Sequence, residues 1–528
     1  MQRIIPGSGF GYGEFGSSTT KRVTKGFTAL SGSPQQDIDY NNYTMRQRGR
    51  LMFMGNPVAA SAVNTHRTNT IGVGLIPNPR PDSTFLHLTE DKAAEWTRTV
   101  KREFSLWADD KRSCDACGTN NFYELQQMLF SSWLMSGDVF VLIQEGKADQ
   151  RRPYKLRLRA LEADRVATPY DSGFVFTLTT GKNTANGNTI YDGVEVDGGG
   201  KPVAYHIRNA NPLDFTRLDS KQFTRIEAEG KTTGLPNILH IMTAHRPEQY
   251  RGVSFLAPVI ISLLQVGRYT EAELAAAVVN AFFTVYITSE ENGEDPAREA
   301  YGDDQSEVSD SEYEYEMGPG QVNILPPGEK PEPIKAEHPS GGFGAFMDAI
   351  VSQIGAALEI PKEILLKQFT ASYSASRGAL LEAWKSFKTY RQWFVNDFCD
   401  PVYELFLCEA VASGRVVAPG FFSDPAVRKA WLKCQWIGPA QGQLDPVKEV
   451  NAEILACQNG FSTYEDSALR LNGSDFNANV ERLATELKLM TEAGLIMTPP
   501  DNTEEGGEGD GKEDKADAKG VSDTDERE

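Results

Sequence analysis

A helix that breaks and restarts as a much longer one sets the limits on what this chain can fold into. In FGAFMDAIVSQIGAALEI the residues Phe343, Phe346, Ile350, Ile354, Ala357 and Leu358 recur every three or four positions, the spacing of one helix face. Ile360-Pro361 stops that helix, because proline lacks an N–H and biases its predecessor away from the helical region. KEILLKQFTASYS is expected as a short helix and loop. From Ser376 the positions Leu380, Trp384, Phe387, Tyr390, Phe394, Phe398, Val402 and Leu405 resume helical spacing to Ala412, where Ser413-Gly414 supplies a stop. About 37 residues at 1.5 Å each make a rod on the order of 55 Å long, bent near Asp400-Pro401. Such a rod exceeds the needs of a small core.

With 528 residues, 40 % of them hydrophobic, the chain has room for three or four folding units. The formal net charge of −20 argues against wrapping nucleic acid by phosphate neutralisation. That charge is concentrated. Residues 289–317 carry twelve Asp/Glu against one Arg, and 501–528 carry twelve against three Lys and one Arg. Six cysteines, with only Cys114 and Cys117 close together, do not form a secreted disulfide framework. There is no run of eighteen apolar residues and no apolar leader at the N-terminus, so a cytoplasmic product without a membrane span is expected.

Residues 1–36, rich in Gly, Ser and Thr, are read as a mobile arm, with order from Asp37. Tyr40–Met54 and Pro57–Ile71 are helices, the second with Val58, Ala62 and Ile71 inward, and NPRPD is a turn. Further helices cover 91–108, with Trp96, Val100, Phe104 and Trp107 on one face, and 122–136, with Leu125, Met128, Leu129 and Leu134. After Gly137-Asp138 the period becomes extended. DVFVLIQEG, YKLRLRALEADRV, FVFTLTTG, IYDGVEVDGGGKPVAYHIRN and ILHIM read as strands with turns at GKNTANGN and DGGGK. Runs of strands beside runs of helices imply an α+β fold with a mainly antiparallel sheet. A long helix starts near Ser254, with Leu263, Val266, Ala272, Leu274 and Val278 along it. Beyond Gly414, VRKAWLKCQWIGPAQGQLDP gives a helix or strand and a turn. Three short amphipathic helices then form a small bundle, the first with Val447, Val450, Ile454 and Leu455 inward, capped by Asp445, Ser462 and Asp475. The acidic tail after Pro500 is read as disordered.

Catalytic and metal chemistry find little support. Cys114-x-x-Cys117 is at most half a zinc site. The six histidines (66, 87, 206, 240, 245, 338) form no HExxH motif, and neither GxSxG nor GxxxxGK[ST] occurs. The acidic run lacks calcium-loop spacing. No cofactor and no catalytic residue are assigned.

The segment PKEILLKQFTASYSASRGALLEAWKSFKTYRQWFVNDFCDPVYELFLCEAV is similar to the core of tailed-phage portal proteins of the lambda type. In order along the chain, QRGRLMFMGNPVAAS, GDVFV, LEADRV, GVEVD, YRGVSFLAPVI, PGQVNILPPGEKPE and GFSTYEDSALRLNG agree with it, over about residues 40–495. The resemblance implies a homo-oligomeric ring, dodecameric in the virion, at one capsid vertex, assembled in the bacterial host cytoplasm. Double-stranded DNA would pass through it. Residues 37–252 would be an α/β wing, 253–288 and 343–360 two stem helices, and 289–342 a clip between them. A tunnel loop would span 361–376, a long wing helix 377–424 and a helical crown 425–498. Terminase large subunit, head-completion protein, and the major capsid and scaffolding proteins would be the partners. Lys362, Lys367, Thr370, Ser372 and Arg377 would face DNA. The open alternative is that these cations pair with Glu359 and Glu363 or point to solvent. Asp303, Asp304, Glu307 and Asp310 of the clip would face a partner.

Overall fold

A computed structural model of the chain describes residues 21–24, 27, 31–169, 180–212, 214, 216, 222–281, 285–287, 322–324, 342–369, 372–443 and 445–495. The acidic tail, the acidic run 289–317 and most of the FVFTLTTG strand lie outside them. A wide helical turn at Gln35–Asp39 leads into α1 (Tyr40–Gly55) and α2 (Pro57–Thr70). Asn56 caps α2, accepting hydrogen bonds from the amides of Val58 and Ala59, with Pro57 at the first helical position. Ala62 and Ile71 are buried as expected, while Val58 is half-buried.

NPRPD is not simply a turn. Its start belongs to β1 (Ile76–Pro79), which pairs antiparallel with the distant β12 (Cys434–Ile437), a partner that no local pattern announces. Helices α3 (Glu90–Ala108), α4 (Lys111–Cys114) and α5 (Phe122–Ser136) follow, with Trp96, Val100, Phe104 and Trp107 buried and Met128 exposed. Asp115 explains Cys114-x-x-Cys117. Its carboxylate accepts from the amides of Cys117, Thr119 and Asn120 at 2.9–3.1 Å, so this is a hydrogen-bonded turn.

The expected antiparallel sheet is two sheets. One has the order β3-β2-β9, from β2 (Asp138–Glu145), β3 (Leu156–Glu162) and β9 (Ile238–Met242). The other is a five-stranded meander of β4 (Thr180–Lys182), β5 (Thr189–Tyr191), β6 (Val194–Val196), β7 (Pro202–Arg208) and β8 (Phe223–Glu227). Both foreseen hairpin turns are present, and β8 is additional. Phe140, Leu161, Val166, Tyr205 and Ile207 form the core between the sheets.

Helix α6 (Ile260–Ala281) starts after a tight helical turn at Ala257–Val259. Leu263 and Val266 are buried, but Ala272, Leu274 and Val278 are exposed, so the apolar face is covered only near its start. Strands β10 (Val285–Ile287) and β11 (Val322–Ile324) pair in parallel. Helix α7 (Phe343–Ala357) packs on α6, with Ile354 buried and Phe346 and Ala357 exposed. After α8 (Lys362–Leu366) comes the rod, α9 (Tyr373–Phe394) continuing into α10 (Asp400–Ala412). Its irregularity lies one turn before the expected site. A π-helical stretch at Val395–Cys399 relieves the clash of Pro401 with the carbonyl four residues back.

The rod packs against α3 and α5. Phe398 stacks on Phe122 with ring centroids 5.6 Å apart, and Phe406 meets Phe104 edge to face at 5.0 Å. Helix α11 (Pro425–Leu432) leads to β12, then to α12 (Pro446–Gln458), α13 (Tyr464–Asn472) and α14 (Phe476–Glu492). Asp445 and Asp475 cap as expected, and Thr463 takes the place assigned to Ser462. Val447, Val450, Ile454 and Leu455 are exposed, not inward. As these three helices are arranged within one subunit, their apolar side chains stay uncovered.

Candidate functional site

The break between α7 and α9 is a compact double reversal. Helix α7 ends at Leu358, and Glu359 takes a left-handed conformation at φ 55°. The chain turns so closely that a Cβ on Gly355 would stand 2.4 Å from the carbonyl oxygen of Ile360. Ile360, Ile364 and Leu365 are buried, and Ser61 Oγ of α2 donates to the Leu365 carbonyl at 2.6 Å. Helix α8 then ends at Lys367, again left-handed at φ 56°. A short anchored helix thus hangs between two left-handed joints. Beyond the second joint the backbone emerges, with Phe369 62 % exposed.

The sequence-assigned residues divide. Lys362 Nζ lies 3.1 Å from Asp348 Oδ2 on α7, in place of the anticipated Glu359 or Glu363. Arg377 reaches Glu449 of α12 at 3.8 Å. Ser372 caps α9, accepting from the Ala375 amide at 3.4 Å. Lys367 holds the joint itself. Thr370, Asp303, Asp304, Glu307 and Asp310 lie outside the described residues.

Arg391 was not singled out by its sequence and is central to the structure. Its Nε donates to the Thr70 carbonyl at 2.8 Å, and its Nη2 to those of Asn69 and Pro439, both at 2.9 Å. Helix α2, the rod and the segment between β12 and α12 are tied there. Burial pulls its pKa down to about 10. The sequence gives little signal for it, since Lys385 and Lys388 alternate with the same aromatic residues. Beside it a cavity of about 560 Å³ separates the rod from α12 and α13.

A second centre is ionic and largely buried. Arg251 Nε donates to Asp138 Oδ2 at 2.6 Å, and its Nη1 lies 2.8 Å from Asp192 Oδ2. The same guanidinium donates to the carbonyls of Ala163, Val166 and Asp192. Arg46 pairs with Asp192 at 3.0 Å, and Arg50 with Asp164. Burial would raise the Asp138 carboxyl, but Arg251 and Arg46 outweigh it and hold it well below the usual range. Asp39 lacks such a partner. Burial, with the Asp192 charge next, pushes it up to about 7. Backbone contact closes the junction, because a Cβ on Gly252 would stand 1.8 Å from the Gly137 oxygen.

The short pieces QRGR, GDVFV, LEADRV, YDG and YRG, far apart in the chain, therefore converge on one buried cluster. Comparison with known proteins agrees with what those pieces suggest. The family described as "Phage portal protein, lambda family" matches residues 20–391. The chain belongs to this family. Portal protein B of Escherichia phage lambda is 22 % identical over 483 residues, covering 88 % of this chain and 87 % of that protein. The portal protein of Escherichia phage N15 is 22 % identical, covering 84 % and 83 %. A probable portal protein of Halomonas phage phiHAP-1 is 24 % identical, covering 90 % and 86 %. Among solved structures, chains of a gene transfer agent virion and of its neck, computed with C12 symmetry, are 16 % identical. Their TM-scores are 0.38 and 0.37, over 82 % of this chain and 94 % of each of theirs.

Portal proteins are structural components. Among the described residues no cluster of His, Cys, Asp and Glu is arranged to hold a metal, and no helix is long and apolar enough to cross a membrane.

Proposed function

We propose that this chain is the subunit of a ring, dodecameric in the virion, at one capsid vertex. Double-stranded DNA would be packaged and released through its central channel. Family membership supports this, and the carrying structural observation is the apolar surface that a single subunit leaves open along α6. Ile261 is 71 % exposed, Leu274 65 % and Val278 49 %. Faces of this kind mark contact with another protein. Negative-stain images of the purified chain should show rings with a central hole. A chain that stays monomeric at every concentration and salt, and in the presence of its capsid proteins, would overturn the reading.

The segment 361–376 is the proposed DNA-facing loop. Lys367, at a joint from which the chain emerges, is the cation placed to meet phosphate, while Lys362 and Arg377 are engaged with Asp348 and Glu449. A channel must hold DNA without gripping it, and few movable cations meet that need. Lys367→Glu should lower packaging while ring assembly is retained.

The clip, with Asp303, Asp304, Glu307 and Asp310, is proposed as the docking surface for terminase or the head-completion protein. Burying twelve carboxylates against one Arg in a core would be prohibitive. Repeated round a ring, their field would steer a basic partner. Neutralising those four to Asn or Gln should slow association and flatten its salt dependence.

A further inference from the structure

The crown helices are well made and poorly covered. Helices α12, α13 and α14 have side-chain caps at Asp445, Thr463 and Asp475, and glycines at positive φ follow them at Gly460, Gly473 and Gly494. Yet Ser467 is the only buried residue of the three. Helices this short are marginal in water and are stabilised chiefly by covering an apolar face. Within the subunit the crown meets the wing and rod through charge, as in Arg80–Glu465, Arg98–Glu481, Lys101–Asp475 and Arg377–Glu449. Those pairs cover no apolar face.

What stays open is ordered. On α12, Val447, Val450 and Ile454 are 70 %, 36 % and 41 % exposed. On α14, Val480, Leu483 and Leu487 are 46 %, 55 % and 48 % exposed. Each set follows the same i, i+3, i+7 spacing, the alternation of three and four that forms a seam between paired helices. Both helices pack on α13, and neither seam is sealed by the other.

We propose that the α12 seam of one subunit packs against the α14 seam of the next, so that the crown's apolar core exists only between neighbours. This rests on the ring reading above. The occupant is a second copy because the chain offers two unlike seams of equal spacing. A head-to-tail contact that closes into a ring requires two such surfaces. Subunits already held by the wing and stem would also present these seams to each other at high effective concentration.

The test places Val450→Cys and Leu483→Cys together in the full chain, with the parent and each single variant as controls for the native cysteines. Rings confirmed by class averages are oxidised and separated under denaturing, non-reducing conditions. A ladder of covalent multimers unique to the double variant is expected. Rings without that ladder, or a disulfide confined to one subunit, overturn the proposal and leave the ring reading intact; a parent that forms no rings at any concentration or salt, or with its capsid proteins present, overturns both. Hydrogen exchange on parent rings and dissociated subunits gives a second readout that needs no variant. Amides of α12 and α14 should be protected only in rings. Equal exchange in both, or protection that appears only on adding capsid or scaffolding protein, overturns the proposal.

Discussion

Arg251 and Asp138 form an ion pair from which water is wholly excluded, with both side chains at 0 % exposure and Nε 2.6 Å from Oδ2. Asp138 opens the β2 strand, and Arg251 precedes the turn into α6, so the pair joins the three-stranded sheet to the start of α6. Removing one partner strands a buried charge. Arg251→Met should therefore destabilise by about 3–5 kcal/mol, measured by denaturant unfolding. Adding Asp138→Leu should recover only part of that loss. The carbonyls of Ala163 and Val166 would still lack their donor.

Asp39 lies beside that pair and titrates in the opposite sense. Its folded pKa is raised to about 7 from 3.8, so its contribution is fully present below pH 4 and is lost as pH rises through 7. Asp39→Asn mimics the protonated form. The variant should match the parent below about pH 4, pull ahead of it progressively as pH rises, and exceed it at pH 8 by on the order of 2–4 kcal/mol. Parallel stability curves for the two proteins across that range would refute the assignment.

His66 responds to acid. Its ring is fully buried among Phe255, Phe387 and Tyr390, with centroids 4.8–5.0 Å away, and burial lowers its pKa to about 4. Burial also raises the Tyr390 phenol to about 12, which leaves it neutral. A lowered folded pKa contributes stability that is present above pH 6.5 and is lost as pH falls through 4. That loss amounts to about 3 kcal/mol. His66→Gln, though less stable at every pH, should show a flatter slope between pH 6.5 and 4 in unfolding free energy.

Helices and the rod were legible in the sequence because amphipathic spacing is a local property, as Trp384, Phe387, Phe394 and Phe398 show. The pairing of β1 with β12 was not, since it joins Ile76 to Ile437 and carries no local signature. The exposed seam of α12 was misjudged for a different reason. Periodicity identifies an apolar face but does not say whether the same chain covers it. The ionic centre lay hidden because Arg46, Asp138, Asp164, Asp192 and Arg251 gain their meaning only when five segments meet.

Lys367 combines two roles that substitutions can separate. At φ 56° its backbone is left-handed, a conformation costing an L-residue roughly 1–2 kcal/mol, which glycine avoids. It also carries the cation proposed to meet DNA. Lys367→Gly should leave stability unchanged or raise it by up to about 1 kcal/mol in thermal unfolding, because the joint is preserved without the side-chain clash. Lys367→Val should destabilise, since a β-branched residue tolerates that region poorly. DNA packaging should follow charge instead of backbone. Lys367→Arg retains it, whereas Lys367→Gly, with intact rings, lowers it. If Lys367→Gly rings package DNA as well as the parent, the joint is purely conformational and the cation has no part in the channel.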